Sequence, residues 1–193
     1  MVFRDTLLDM LRQVKYQVRF AIPLWLVQLL TDWLPDNRIT IRLRGAFVRP
    51  FLGKCGKNLQ LARRVTFLNV HGINIGSNVY IAGSCWIDGM GGLVIEDEVK
   101  ISPFVVITTT SHCFKNGSVR FGGSRRSASR IGRGSWIASH VVISGVAVGS
   151  GTIVGANSVV SRDIPDDVFA TGAPAKVIGP RPDKKADLFT RFD

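Results

Sequence analysis

Three histidines stand out in this chain as groups able to move a proton near neutral pH, and one of them is placed to do so. His112 closes the run Thr108-Thr109-Thr110-Ser111-His112 and heads a segment, residues 113–130, that holds three glycines, four serines and four arginines. An imidazole in such a place is the usual group for taking a proton from an alcohol, worth roughly 10²–10⁴ in rate. Asp88 could orient that ring or hold a substrate hydroxyl, and could equally be a turn carboxylate bonding nearby backbone amides. His71 is a candidate to touch a bound ligand, a solvated loop histidine being the plainer reading. His140 stands where the chain otherwise uses Asn or Gly and reads as a turn residue.

What must position these groups is a ruler of apolar residues. Cys55, Leu61 and Phe67 are six apart, as are Ile75, Ile81 and Ile87, then Ile95, Ile101 and Ile107, then Ile131, Ile137 and Ile143, then Val148, Val154 and Val160. A period of six fits neither an α-helix nor an alternating strand. It fits a β-solenoid whose three-sided coil takes three hexapeptides, with each mark pointing inward. Turn formers that tolerate positive φ recur three places after a mark, as Asn58, Asn78, Gly134, Gly151 and Asn157. Every irregular step follows the third mark of a triplet, so one edge is free to vary. Five coils stacked about 4.8 Å apart are expected, with a long mobile loop over residues 113–130 after the third. His71, Asp88 and His112 then share the variable edge, where function is expected. Trp86 and Trp136 each precede a mark and should face outward, covered by another subunit or a ligand.

The segments divide as 1–52, a basic helical portion; 53–171, the solenoid; and 172–193, a tail carrying Lys176, Arg181, Lys184 and Lys185. Leu7, Leu11, Val14 and Val18 form a helical stripe flanked by Arg12, Lys15 and Arg19, and Pro23 is expected to break or restart the helix. This portion reads as a cap over the open end of the solenoid, or as a basic amphipathic segment lying in a membrane interface; the two are compatible. Residues 38–54 suit an edge strand or a short helix. The 193 residues carry a formal charge of +11, which calls for an anionic partner. No nucleic-acid-binding pattern accompanies it. Three cysteines at unrelated spacings make no disulfide framework or zinc motif, and no signal-peptide cleavage site is apparent, so a cytoplasmic location is expected, with contact to the inner membrane face as the second reading.

The chain resembles the hexapeptide-repeat acyltransferases over roughly Leu52 to Gly179. The segments Gly134-Ser135-Trp136-Ile137-Ala138-Ser139-His140, Val154-Gly155-Ala156-Asn157-Ser158 through Pro165, and Gly172-Ala173-Pro174-Ala175-Lys176-Val177-Ile178 carry the likeness, nearest to the sugar and exopolysaccharide O-acetyltransferases. The resemblance implies a left-handed parallel β-helix, a homotrimer, and acetyl-CoA as co-substrate in a groove between subunits. It implies His112 as catalytic base and Ser139, Ala156, Ser161, Arg162 and Lys176 toward the coenzyme; by their place on the coils, Asp88 and His71 are the candidates toward the acceptor and Trp136 toward the coenzyme. No metal is implied, and Cys113 is not the implied nucleophile. The galactoside branch carries an acceptor-contacting asparagine near the position of Ala82, so its acceptor does not carry over. The expected reaction is O-acetylation of a sugar or polysaccharide-precursor hydroxyl. An amino sugar, serine or antibiotic acceptor is the alternative, followed by a metal-dependent or non-catalytic β-helix.

Overall fold

A computed structural model describes residues 2–182. Its centre is the solenoid that the six-residue ruler demands. The first face stacks Lys54–Cys55, Ile73–Ile75, Leu93–Ile95, Ser129–Ile131 and Ala147–Val148 in parallel. The third stacks Thr66–Leu68, Trp86–Asp88, Val106–Thr108, Val142–Ser144 and Val159–Val160. The second holds Gln60–Leu61, Tyr80–Ile81, Lys100–Ile101, Trp136–Ile137 and Ile153–Val154, followed by Val168–Thr171. Marks meet marks across the rungs: Ile81 pairs with Ile101, Ile137 with Val154, and Ile107 with Ile143. Every mark except half-buried Cys55 is buried.

The coil number exceeds the expected five. Ile164 bridges to Val148, and Ala170 pairs with Val154, so a partial sixth coil continues the ruler at spacing six. It escapes the pattern because the step from Val160 to Ile164 is only four and its second mark is an alanine. The tail is likewise more ordered than expected: Lys176–Pro180 returns antiparallel on Val168–Thr171. Lys184, Lys185 and the Leu7 side chain lie outside what is described.

Backbone conformation explains the corners. Asn58, Asn78, Gly134, Gly151 and Asn157 all have positive φ, and so do Arg64, Ser84, Glu98, Phe104 and His140 at the equivalent place. The third residue after the first and second marks of each triplet therefore takes the left-handed turn whatever its type, and His140 serves as the turn residue anticipated, its ring stacked on Phe104 at 4.9 Å. A second inward position lies two before each mark. Val79, Val99, Val105 and Val141 fill it, then the hydroxyls Ser135, Thr152 and Ser158. The hydroxyls are tolerated because each is hydrogen-bonded: Ser135 Oγ donates to the Gly149 carbonyl (2.6 Å) and Thr152 Oγ1 to that of Pro165 (2.7 Å). Cys85 also points inward, and burial pushes its thiol up to about 11.

At the open end the helices form a cap. The segment is one continuous rod: α1 (Val2–Tyr16), a π-helical stretch Gln17–Ala21, and α2 (Ile22–Thr31). Pro23 does not break it. The ring of Pro23 would meet the carbonyl of Arg19, and the wider π spacing there relieves the clash. Residues 38–54, open between strand and helix, form α3 (Thr40–Val48). The first coil has no rung beneath it, so its carbonyls lack partners. Arg44 donates to the carbonyl of Leu61, Gln28 to that of Val65, and Arg49 to that of Cys55. Gly45 lets α3 approach, since a Cβ there would overlap the Leu59 carbonyl oxygen.

Candidate active site

The variable edge is built upward from three coils. Asp88, 5% exposed, sits where the second coil leaves the third face. Its Oδ1 accepts from Asn69 Nδ2 (2.7 Å) and the Met90 amide (3.1 Å), and its Oδ2 accepts from Thr109 Oγ1 (3.0 Å). Asn69 belongs to the first coil and Thr109 to the third, so one carboxylate ties three rungs together. Thr109, fully buried, also accepts from the Gly91 amide through its hydroxyl (2.8 Å) and from the Ser127 amide through its carbonyl (2.9 Å). From this clamp the chain leaves the solenoid.

The segment expected to be a loop is a hairpin. Thr110–His112 pairs antiparallel with Ser124–Arg126, His112 facing Ser124, and Lys115 bridges to Ser118. His112 is exposed on this arm. Sequence periodicity does not announce the hairpin, because three paired residues on each side are too few to show alternation. Asp88 stands at the expected corner beneath it, but among the described residues no hydrogen bond joins Asp88 to His112. The carboxylate accepts from Asn69, Met90 and Thr109.

His71 also lies on this edge, in the 3₁₀ turn Val70–Gly72. It is exposed, and two rings of the N-terminal rod pack against it. Tyr16 packs edge-on against its ring at 5.6 Å and Phe20 at 6.2 Å. With Arg12, Lys15 and Arg19 these rings line a shallow basic hollow of about 260 Å³.

A larger cleft, about 490 Å³, opens on the second face and its corner with the third. Trp136, Ser139 and Ala156 line it together, along with Ser102, Gly155 and Phe169. Trp136 faces outward and donates Nε1–H to Ser102 Oγ (2.9 Å), which fixes the indole as a wall. Small residues keep the floor low: at Gly155 a Cβ would crowd Thr171 Oγ1. Ser161, Arg162 and Lys176 are exposed nearby in the chain but outside the lining. Phe169 lies on the closing strand and is not a mark of the ruler, so sequence reasoning did not place it at the cleft; Ala138 and Gly155 are the small residues that follow Ile137 and Val154. Trp86 also faces outward, on the third face.

Among the described residues no three of His, Cys, Asp and Glu gather so as to hold a metal. The acid–base candidate and the cleft are at different corners of the prism: His112 leaves the third face toward the first, and Ala156 turns from the second toward the third. An apolar cleft with a small-residue floor lies along the last coils of a three-sided β-helix whose free edge carries an imidazole, an arrangement with room for an acyl carrier.

Comparison with known proteins agrees. No family model matches the chain. It is 32% identical over 139 residues to the galactoside O-acetyltransferase of Escherichia coli (strain K12), covering 72% of this chain and 68% of that one. Among solved structures, a galactoside acetyltransferase in complex with coenzyme A superposes with a TM-score of 0.77 at 27% identity, over 89% of this chain and 85% of the other. A maltose O-acetyltransferase from Clostridium difficile 630 gives 0.71 at 26% identity, over 82% and 84%. The chain belongs to the hexapeptide-repeat acyltransferases, which are left-handed parallel β-helices.

Proposed function

We propose that this protein is an acetyl-CoA-dependent O-acetyltransferase acting on a hydroxyl of a sugar or polysaccharide precursor, with His112 as general base. The observation that carries this is the pairing of an exposed imidazole on an anchored hairpin with a slot shaped for an extended thioester arm. The acceptor class rests on the similarity to galactoside and maltose enzymes. The slot fits the coenzyme: Gly155 and Ala156 allow close approach, the Trp136 indole and Phe169 supply apolar walls, and exposed Arg162 and Lys176 are available to phosphate groups. His112 takes the proton of the acceptor hydroxyl, whose oxygen attacks the thioester carbonyl. Backbone amides of the adjoining coil bond the developing oxyanion. The thiolate leaves, and the imidazolium returns its proton.

Because His112 and the slot occupy different corners of one prism, this reading calls for a homotrimer in which the hairpin of one subunit reaches the slot of the next. Outward-facing Trp86 suits such packing. Asp88 positions the hairpin, and His71 lines the acceptor end of the same edge. The site operates in the cytoplasm, with a peripheral membrane contact through the N-terminal helices. The test is release of free thiol from acetyl-CoA with a panel of galactosides, maltose and polysaccharide fragments, wild type against His112→Ala. Acceptor-dependent release that the variant loses is expected; wild-type turnover by the variant would overturn the assignment.

A further inference from the structure

The cap stabilises the solenoid with its inner side, and its outer side is the wrong kind of surface for water. A terminal cap normally turns a polar face outward. In α2 the residues directed at the first coil are Leu24, Val27, Gln28 and Thr31, and those directed away are Ile22, Trp25, Leu26, Leu29 and Leu30. Trp25 is 58% exposed, Leu30 67%, and Trp33, just beyond the helix, 73%. In α3 the outward row is Ile39, Leu43 and Phe47, spaced by four. Leu11 and Val14 of α1 and Val18 of the π-helical stretch are exposed as well. Apolar surface of this extent on an exposed face signals something that covers it.

Charge says what covers it. From Met10 to Thr31 the chain has no Asp or Glu, and Arg12, Lys15 and Arg19 accompany the apolar row. From Arg38 to Arg49 there is again no acid, and Arg38 and Arg42 flank the outward residues of α3. The two acids between, Asp32 and Asp36, lie 3.6 and 2.9 Å from the guanidinium of buried Arg44. A second copy of the chain set against this face would bring cations against cations. An anionic lipid headgroup layer would meet them with opposite charge and take the apolar side chains into the acyl boundary. Tryptophan at such a boundary has its ring in the apolar layer and its N–H in water. No helix among the described residues is long and apolar enough to cross a bilayer, so the helices would lie along it.

We infer that the outer face of the N-terminal cap is a docking surface for bilayers bearing anionic phospholipid headgroups. This rests on and deepens the peripheral membrane contact proposed above, naming the lipid chemistry, and stands without the acyl-transfer reading. In the trimer proposed above, three caps would face the same way, and binding would gain from multivalency.

The test is co-sedimentation of the full chain with phosphatidylcholine vesicles and with equimolar phosphatidylcholine–phosphatidylglycerol vesicles. The wild type is expected to pellet with the mixed vesicles and much less with the neutral ones. Leu30→Glu/Trp33→Glu, at two largely exposed positions, lowers partitioning by at least about tenfold with an unchanged melting temperature. Arg38→Gln/Arg42→Gln, at exposed positions, lowers only the anionic increment, by about fivefold for each charge, and added salt does the same. Wild type remaining in the supernatant with both vesicles, or the glutamate variant pelleting like wild type, would overturn the inference. So would a larger wild-type assembly in sedimentation velocity that the glutamate variant takes apart, which would make the face a protein interface. Acetyl transfer to a soluble acceptor is the same in both variants, which keeps docking and catalysis separately testable.

Discussion

Replacing Arg44 with Met tests whether the cap is held by satisfaction of the first coil's orphan carbonyls. The guanidinium is 1% exposed; Nη1 donates to Asp36 Oδ1 (2.9 Å) and the Leu61 carbonyl (2.8 Å), and Nη2 donates to the carbonyls of Thr31 (3.1 Å) and Leu34 (3.3 Å). Methionine preserves most of the stem and removes every donor. Asp32 and Asp36 are partly solvated and can rehydrate, so the full cost of breaking a buried ion pair, about 3–5 kcal/mol, is an upper bound. The Leu61 and Thr31 carbonyls cannot rehydrate as easily, and an orphaned buried acceptor costs about 1–3 kcal/mol. A loss of about 3 kcal/mol follows, which for a chain of this size lowers Tm by about 6–12 °C. Arg63, 44% exposed and 3.8 Å from Asp36, is the control: Arg63→Met should cost less than about 1 kcal/mol. Hydrogen exchange locates the effect. The amides of Gln60, Ala62 and Thr66, bonded to Val79, Ile81 and Cys85, should lose protection in Arg44→Met. Those of Ser102 and Val106, two coils further in, should keep it. Equal losses in the two variants, or unchanged protection of the first coil, would refute the reasoning.

His112→Ala should lower kcat by about 10²–10⁴ while coenzyme affinity, measured calorimetrically, stays within error. Ala156→Phe, at an exposed position on the slot floor, should weaken coenzyme binding at least about tenfold, because the ring fills space left by a methyl group; unchanged affinity would move the coenzyme elsewhere. Asp88→Asn keeps the shape but loses the charge that Asn69, Met90 and Thr109 donate to, so Tm should fall by about 2–6 °C, with kcat lowered more than KM is raised if the residue acts by holding the hairpin. Cys85 has its thiol raised to about 11 by desolvation, so the folded state holds that proton more tightly than the unfolded chain. Its contribution is fully present below the ordinary thiol value of 9.0 and is lost as pH rises from there toward about 11; denaturant midpoints across that window should fall less in Cys85→Ala than in wild type.

The ruler of six was legible because a solenoid repeats one local requirement, an inward side chain, at every hexapeptide. The confinement of its irregular steps to one corner pointed to the edge that carries Asp88 and His112. A closing strand near Val168 to Thr171 was legible, but not its place in a sixth coil, since the step from Val160 to Ile164 breaks the period. Nor was the hairpin, which is held by the Asp88–Thr109 clamp between coils and not by its own pattern. The helical rod survived Pro23 through a π stretch that no spacing announces. The sequence by itself determined what repeats: the prism, its left-handed corners and the small residues along the slot. Only the tertiary structure decided what each singular residue does, because Asp88, Arg44 and His71 take their roles from partners nineteen, seventeen and fifty or more positions away. It is packing, which local periodicity cannot encode, that brings those partners within reach.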